Sequence, residues 1–139
     1  MSGRRRVASG SPWEPVIGFS RALRVGDRVL VSGTGPVWPD GSCDPAPGAQ
    51  ADRCLEIIAT ALDEAGASLA DVVRTRMLLV DAADADAVGA AHARALGEVR
   101  PAATMVVVAA LLDPRWRVEI EAEAVIGDAG TAGAATLVP

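Results

Sequence analysis

Lysine and tyrosine are missing from this chain, phenylalanine and histidine occur once each, and cysteine occurs twice. Each shortage removes a class of function. Cys43 and Cys54 lie eleven apart, in a predicted loop and a predicted helix, and cannot staple a disulfide scaffold. With His92 as the only imidazole they do not make an ordinary structural zinc site either. Two plain thiols are expected, Cys43 exposed and Cys54 packed. The formal charge is -5 and the pI about 4.8, and every charged base is an arginine. Phosphate contacts need clustered basic residues, and the only cluster is Arg4-Arg5-Arg6, so no nucleic-acid partner is expected. No apolar run approaches the ~18 residues of a membrane span, and no membrane partner is expected. Val7-Ala8-Ser9-Gly10-Ser11-Pro12 follows the arginines where a signal peptide would have its apolar region, which gives a cytoplasmic expectation. A Gly-rich phosphate loop is also absent.

What is there is half hydrophobic, and little of it aromatic: 3 %, from three Trp and one Phe. A core of Ala, Val and Leu packs densely but buries little area per residue, and small domains are marginal by surface-to-volume scaling. Self-association is therefore a physical expectation. At 139 residues the chain is one domain, read as 12–127, with 1–11 and 128–139 as flexible tails. Leu23 to Ser32 reads as two short strands around a Gly26-Asp27 turn. An irregular loop follows through Gly48. Ala49 to Ala65 has Leu55, Ile58, Leu62 and Ala65 at helical spacing and Gly66 as its stop. Val72 to Val80 is a strand, and about Asp84 to Glu98 a second helix capped by Asp81 or Asp84. Met105-Val106-Val107-Val108 marks Thr104 to Leu112 as a buried strand. Arg117 to Ile126 is the last strand. The order β-β-α-β-α-β-β predicts an α+β domain with both helices on one face of the sheet.

Period two sorts the strands' side chains. On the last strand Val118, Ile120, Ala122, Ala124 and Ile126 form one row, and Arg117, Glu119, Glu121 and Glu123 face the other way with Val125. On the middle strand Arg74, Arg76, Leu78 and Val80 share a face opposite Val73, Thr75, Met77 and Leu79. If the strands are neighbours, Arg74 or Arg76 pairs with one of the glutamates. Glu121 and Glu123 read equally well as surface charges, each worth little. Glu119, at the start of the strand and near a sheet edge, reads more strongly as a carboxylate that orients water or passes a proton, a use that burial favours. His92 reads as a satisfied, partly buried histidine more readily than as a base. Ser32 precedes a glycine at a strand end, a place for a substrate-facing hydroxyl, without the Gly-x-Ser-x-Gly context of a serine hydrolase. Trp13, Phe19, Trp38 and Trp116 all lie outside the helices, as edge packing or as the lining of a pocket or subunit seam.

Gly18-Phe19-Ser20-Arg21-Ala22, Val31-Ser32-Gly33-Thr34, the stretch 65–73, Arg100-Pro101-Ala102 and Val118-Glu119-Ile120-Glu121-Ala122 together resemble the RidA/YjgF/YER057c/UK114 (Rid) family. The resemblance runs from Gly18 to Val125. It implies a chorismate-mutase-like, RidA-like α+β fold with a mixed sheet, assembled as a homotrimer around a β-barrel-like core with clefts between subunits. It also implies hydrolysis of reactive enamines and imines to 2-keto acids and ammonia, without metal or cofactor. By the same resemblance Glu119 positions the attacking water, and Ser32 and Gly33 line the cleft with Thr104. The carboxylate-clamping arginine of the family falls at position 103, where this chain has Ala103. A methyl group makes no bidentate contact, so several kcal/mol of substrate positioning, ~2 to 5, are lost for a carboxylate-bearing imine. Phe19 stands where the archetypes have tyrosine, and Gly89 and His92 where they have Asn and Tyr.

Three readings follow. In the first the chain is a divergent Rid-like trimer whose remodelled cleft binds or processes a small, less acidic metabolite. In the second it deaminates imines using Arg21, Arg100 or another subunit's arginine as a substitute clamp. The third is a non-catalytic ligand-binding or interaction trimer.

Overall fold

The computed structural model describes residues 3–127. The chain runs through β1 (Arg4–Val7), a π-helical turn (Glu14–Gly18), β2 (Ala22–Val25), β3 (Arg28–Thr34), α1 (Pro47–Glu64) and a 3-10 turn (Leu69–Asp71). It continues through β4 (Val72–Leu79), a second 3-10 turn (Ala82–Asp84), α2 (Ala85–Leu96), β5 (Ala102–Val107) and β6 (Val118–Val125). One six-stranded sheet has the order β1-β2-β3-β6-β4-β5. All neighbours are antiparallel except β4 and β5, whose parallel pairing uses α2 as its crossover. The sheet is mixed and stays open within the chain. This is the expected α+β, chorismate-mutase-like arrangement.

The helices pack on one face of the sheet. Leu55, Ile58, Leu62 and Ala65 of the α1 segment, and Val88, Ala91 and Leu96 of α2, meet Val29, Val31, Met77, Leu79 and the β6 row Val118, Ile120, Ala122 and Ala124 in one core. Ile58, Leu62, Leu79, Leu96 and Ile120 are fully buried, each contributing about 1.5 to 3 kcal/mol relative to exposure. The β2–β3 hairpin turns at Gly26, whose positive φ of 63° suits a tight hairpin and is costly for a residue with a Cβ. Asp81 accepts from the Ala83 amide and caps the 3-10 turn that leads into α2.

Three expectations are corrected. Arg4–Val7 lies inside the reading of 1–11 as a tail, yet it pairs antiparallel with β2, and Arg5 donates to the Glu64 carbonyl at the end of α1. Three exposed arginines followed by one buried valine show no alternation, so nothing in the pattern registers as a strand. The segment expected as a buried strand is the exposed edge strand β5, shorter than expected, with Val106 and Val107 open to solvent. Val73 does not share a face with Thr75: a register shift between Val72 and Arg74 leaves it exposed as the extra residue of a bulge. Residues 128–139, expected to be a flexible tail, lie outside the described residues.

Candidate functional site

β6 is central in the sheet, and its two neighbours decide what each glutamate meets. On the β4 side Arg76 stands opposite Glu121 and Arg74 opposite Glu123, while Glu119 stands opposite Leu78. Arg76 bonds Glu121 at 3.3 Å, and Arg28 of β3 bonds Glu123 at 3.5 Å. Among the described residues Glu119 makes no ion pair and accepts no hydrogen bond from protein. Neither oxygen is a buried orphan, so the carboxylate reaches solvent. Half-buried, it is held above the ordinary carboxylate range, first by desolvation, with Arg21 pulling it down and Glu121 pushing it up. Alternation along β6 points three carboxylates the same way, and cross-strand pairing neutralises two of them.

On the β3 side the pairing shifts between Val31 and Thr34, so Ser32 and Gly33 together face Glu121. This bulge bends β3 next to Glu119. A Cβ on Gly33 would collide with Glu119 Oε2, so glycine is what lets the carboxylate lie against the strand. The Gly33 carbonyl accepts from Arg21 Nη1 at 2.8 Å, and the same nitrogen donates to Thr34 Oγ1 at 2.8 Å. The Arg21 guanidinium lies 5.6 Å from the Phe19 ring centre, a cation–π arrangement. Burial pulls the Arg21 pKa down, and Glu14 and Glu119 push it up. Ser32 Oγ donates to the Ser20 carbonyl at 2.7 Å, so its proton is already engaged. Ser32 and Gly33 border a recess of about 200 Å³ on the open sheet face, shared with Leu30, Arg74, Arg76 and Glu123.

Phe19, Arg21, Ser32, Gly33 and Glu119 thus form one cluster, on the segment that leads into β2 and on β3 and β6. The other candidates lie elsewhere in the chain. His92 projects from α2 onto the helix-covered side, where Nε2 is 2.8 Å from the Thr75 hydroxyl. Burial lowers its pKa, which favours the neutral ring. Ala103 pairs with Thr75 and Thr104 with Arg76, both on β5, with β4 between them and β6. Arg100 lies in the α2–β5 connection with φ of 54°, exposed, and makes no side-chain bond to the described residues.

Sequence reasoning missed the residues that hold the site in place. Gln50 is fully buried. Its Nε2 donates to the carbonyls of Asp44 at 2.8 Å and Arg115 at 3.0 Å, and its Oε1 accepts from the Arg117 amide at 2.7 Å. Arg117 binds Asp84 through Nε and Nη2 at 2.8 and 3.0 Å, fastening the start of β6 to the start of α2. A signal was present: Gln50 shares the apolar stripe of Cys54 and Ile58, where a polar residue needs a partner. Thr75 and Glu14, buried polar residues that meet His92 and Ser9, gave no such cue. Among the described residues no group of three or more His, Cys, Asp and Glu is placed to hold a metal ion. No helix among them is long and apolar enough to cross a membrane.

Residues 10–126 match the model of the family described as Endoribonuclease L-PSP. The chain belongs to that family. The crystal structure of a YjgF/YER057c/UK114 family member from Mycobacterium tuberculosis is similar at TM-score 0.83 and 44 % identity, over 89 % of this chain and 100 % of that one. The YjgF gene product of Escherichia coli is similar at TM-score 0.73 and 28 % identity, over 86 % of this chain and 92 % of that one. An uncharacterised protein of Streptomyces coelicolor is 42 % identical over 88 % of this chain and 92 % of its own length. Membership in the YjgF/UK114 family agrees with the resemblance drawn from the Arg-Pro-Ala and Val-Glu-Ile-Glu-Ala segments.

Proposed function

We propose that this chain is a divergent Rid-type homotrimer whose inter-subunit clefts bind or process a small metabolite, with little of the 2-imino acid deaminase activity of the family's archetypes. The observation that carries this reading is Glu119, a half-buried carboxylate without a partner among the described residues, set against the Gly33 bulge while Glu121 and Glu123 are paired. An unspent carboxylate with a raised pKa suits water positioning or proton transfer. Ala103 argues against strong imine hydrolysis, because its methyl group stands where the resemblance puts the carboxylate clamp. The separation of Ala103 and His92 from Glu119 within one chain supports a cleft completed by a second subunit.

The nuclease activity in the family's description does not carry over. The net charge is -5, and Arg28 and Arg76 on the open face are bonded to Glu123 and Glu121 rather than gathered into a basic patch.

The test is a coupled keto-acid assay with 2-aminoacrylate or 2-iminobutanoate beside a relative that has the arginine. Loss of a clamp worth ~2 to 5 kcal/mol corresponds to roughly 30-fold to several-thousand-fold lower kcat/KM. Comparable turnover would refute the divergent cleft. Ala103→Arg is expected to restore part of the activity, and a dead variant would place further changes in the cleft.

A further inference from the structure

Arg21 has an unused half. Its Nη1 is spent on Gly33 and Thr34 Oγ1, while among the described residues Nε and Nη2 donate to no protein acceptor. Neither nitrogen is a buried orphan, so both reach solvent. The Nε/Nη2 side is the edge of a guanidinium that accepts a carboxylate through two parallel bonds. The same chain uses that edge elsewhere, where Arg117 grips Asp84 through Nε and Nη2. Three contacts hold Arg21 in place, two hydrogen bonds from Nη1 and the Phe19 ring, so little side-chain entropy is left to lose when a ligand arrives. Its acidic neighbours leave the free edge open: Glu14 is engaged by the Ser9 amide and hydroxyl, and Glu119 forms no ion pair with it.

Gly33 sets the geometry. Its carbonyl anchors Arg21, and its missing Cβ leaves room for Glu119 Oε2, so both unspent groups touch one residue. We propose that the Nε/Nη2 edge of Arg21 is the carboxylate-binding element of this site and that the ligand is a small carboxylate whose far end lies against Glu119. This deepens the reading of the Glu119 cluster as a ligand site and rests on it. It places the clamp just before β2, beside β3, instead of on β5 at position 103. A ligand carboxylate held from there approaches Glu119 from the β3 side and not from position 103, so carboxylate binding and the weak imine hydrolysis expected from Ala103 coexist.

The test uses the full-length protein and a matched pair of probes, butyrate and butyramide, at neutral pH. The Arg21 Nε–H signal and the Glu119 side-chain carboxyl signal are followed by NMR during titration. Expected are saturable shifts of both signals with butyrate, binding at least about tenfold weaker for butyramide, and a loss of about tenfold or more in Arg21→Gln. Arg21→Lys, which keeps the charge, is expected to recover only part because a point charge does not replace the fork. The wild-type Nε–H signal keeps the test valid if a variant fails to fold. If butyrate moves Glu119 but not Arg21, or the amide binds as well as the acid, the carboxylate assignment fails and the ligand site stands. If neither probe moves either signal, both fail.

Discussion

Glu119 differs from Glu121 and Glu123 in its surroundings: Leu78 stands across from it on β4, and its carboxylate lies against the bulged Gly33 of β3 instead of an arginine. Its folded-state pKa is raised above the ordinary 4.5 by burial. The folded chain therefore binds more protons than the unfolded chain as the pH passes between those two values, and stability falls as pH rises through that window. The cost of the buried charge persists at neutral pH. Glu119→Gln removes it, so the variant is expected to melt above the wild type at neutral pH, with the gap closing below pH 4.5. Equal melting at neutral pH would mean that Arg21 offsets the desolvation completely. Gly33→Ala probes the same carboxylate from the backbone side. Its φ lies outside the left-handed region, and the new methyl meets the end of a side chain rather than backbone. Stability is expected to change by no more than about 1 kcal/mol, because the carboxylate can swing away. Swinging exposes it, so a carboxyl NMR titration should find Glu119 nearer its ordinary value. An unshifted titration would show that the strand moved instead.

At the scale of elements, periodicity in the sequence identifies α1, α2, β4 and β6 because each has a long enough pattern for one face to be read. The β6 rows come from alternation alone, but alternation leaves open which of Arg74 and Arg76 meets which glutamate, and the strand register selects Arg76 with Glu121. The two bulges do not come from alternation. A bulge is one residue added to one strand of a pair, and it becomes visible only when the partner is known. One such bulge puts Gly33 against Glu119, which is why the residues of the cluster were legible while their juxtaposition was not. Gln50 joins the elements that carry this geometry, since it holds the Arg117 amide two residues before Glu119. Gln50→Leu keeps the volume but removes the partner of one amide and two carbonyls. A loss on the order of 2 to 3 kcal/mol is expected in urea unfolding, well above an ordinary surface change. A loss below 0.5 kcal/mol, within the scatter of ordinary surface changes, would mean that water replaces the amide there.

For the whole molecule, the two edges of the sheet are treated in opposite ways. β1 closes one end with Arg4, Arg5 and Arg6, the kind of charged edge that discourages strand addition. β5 closes the other end as Ala102 to Val107 without a single charge, with Val106 43 %, Val107 53 % and the nearby Leu112 94 % exposed. An uncharged β-branched edge left in water invites pairing with other chains, and a second copy of the chain covering it resolves that hazard. The small-residue core makes the same demand, since Ala and Val bury little area per residue. Light scattering in solution is expected to give a homotrimer. Val107→Lys places a charge where the isolated chain tolerates it, so its circular dichroism should be unchanged while the mass falls to that of a monomer. A wild-type monomer would remove the premise that clefts form between subunits. A trimeric Val107→Lys would shift the interface away from β5, and Ala103 and Glu119 would then have no route to a shared cleft through that strand.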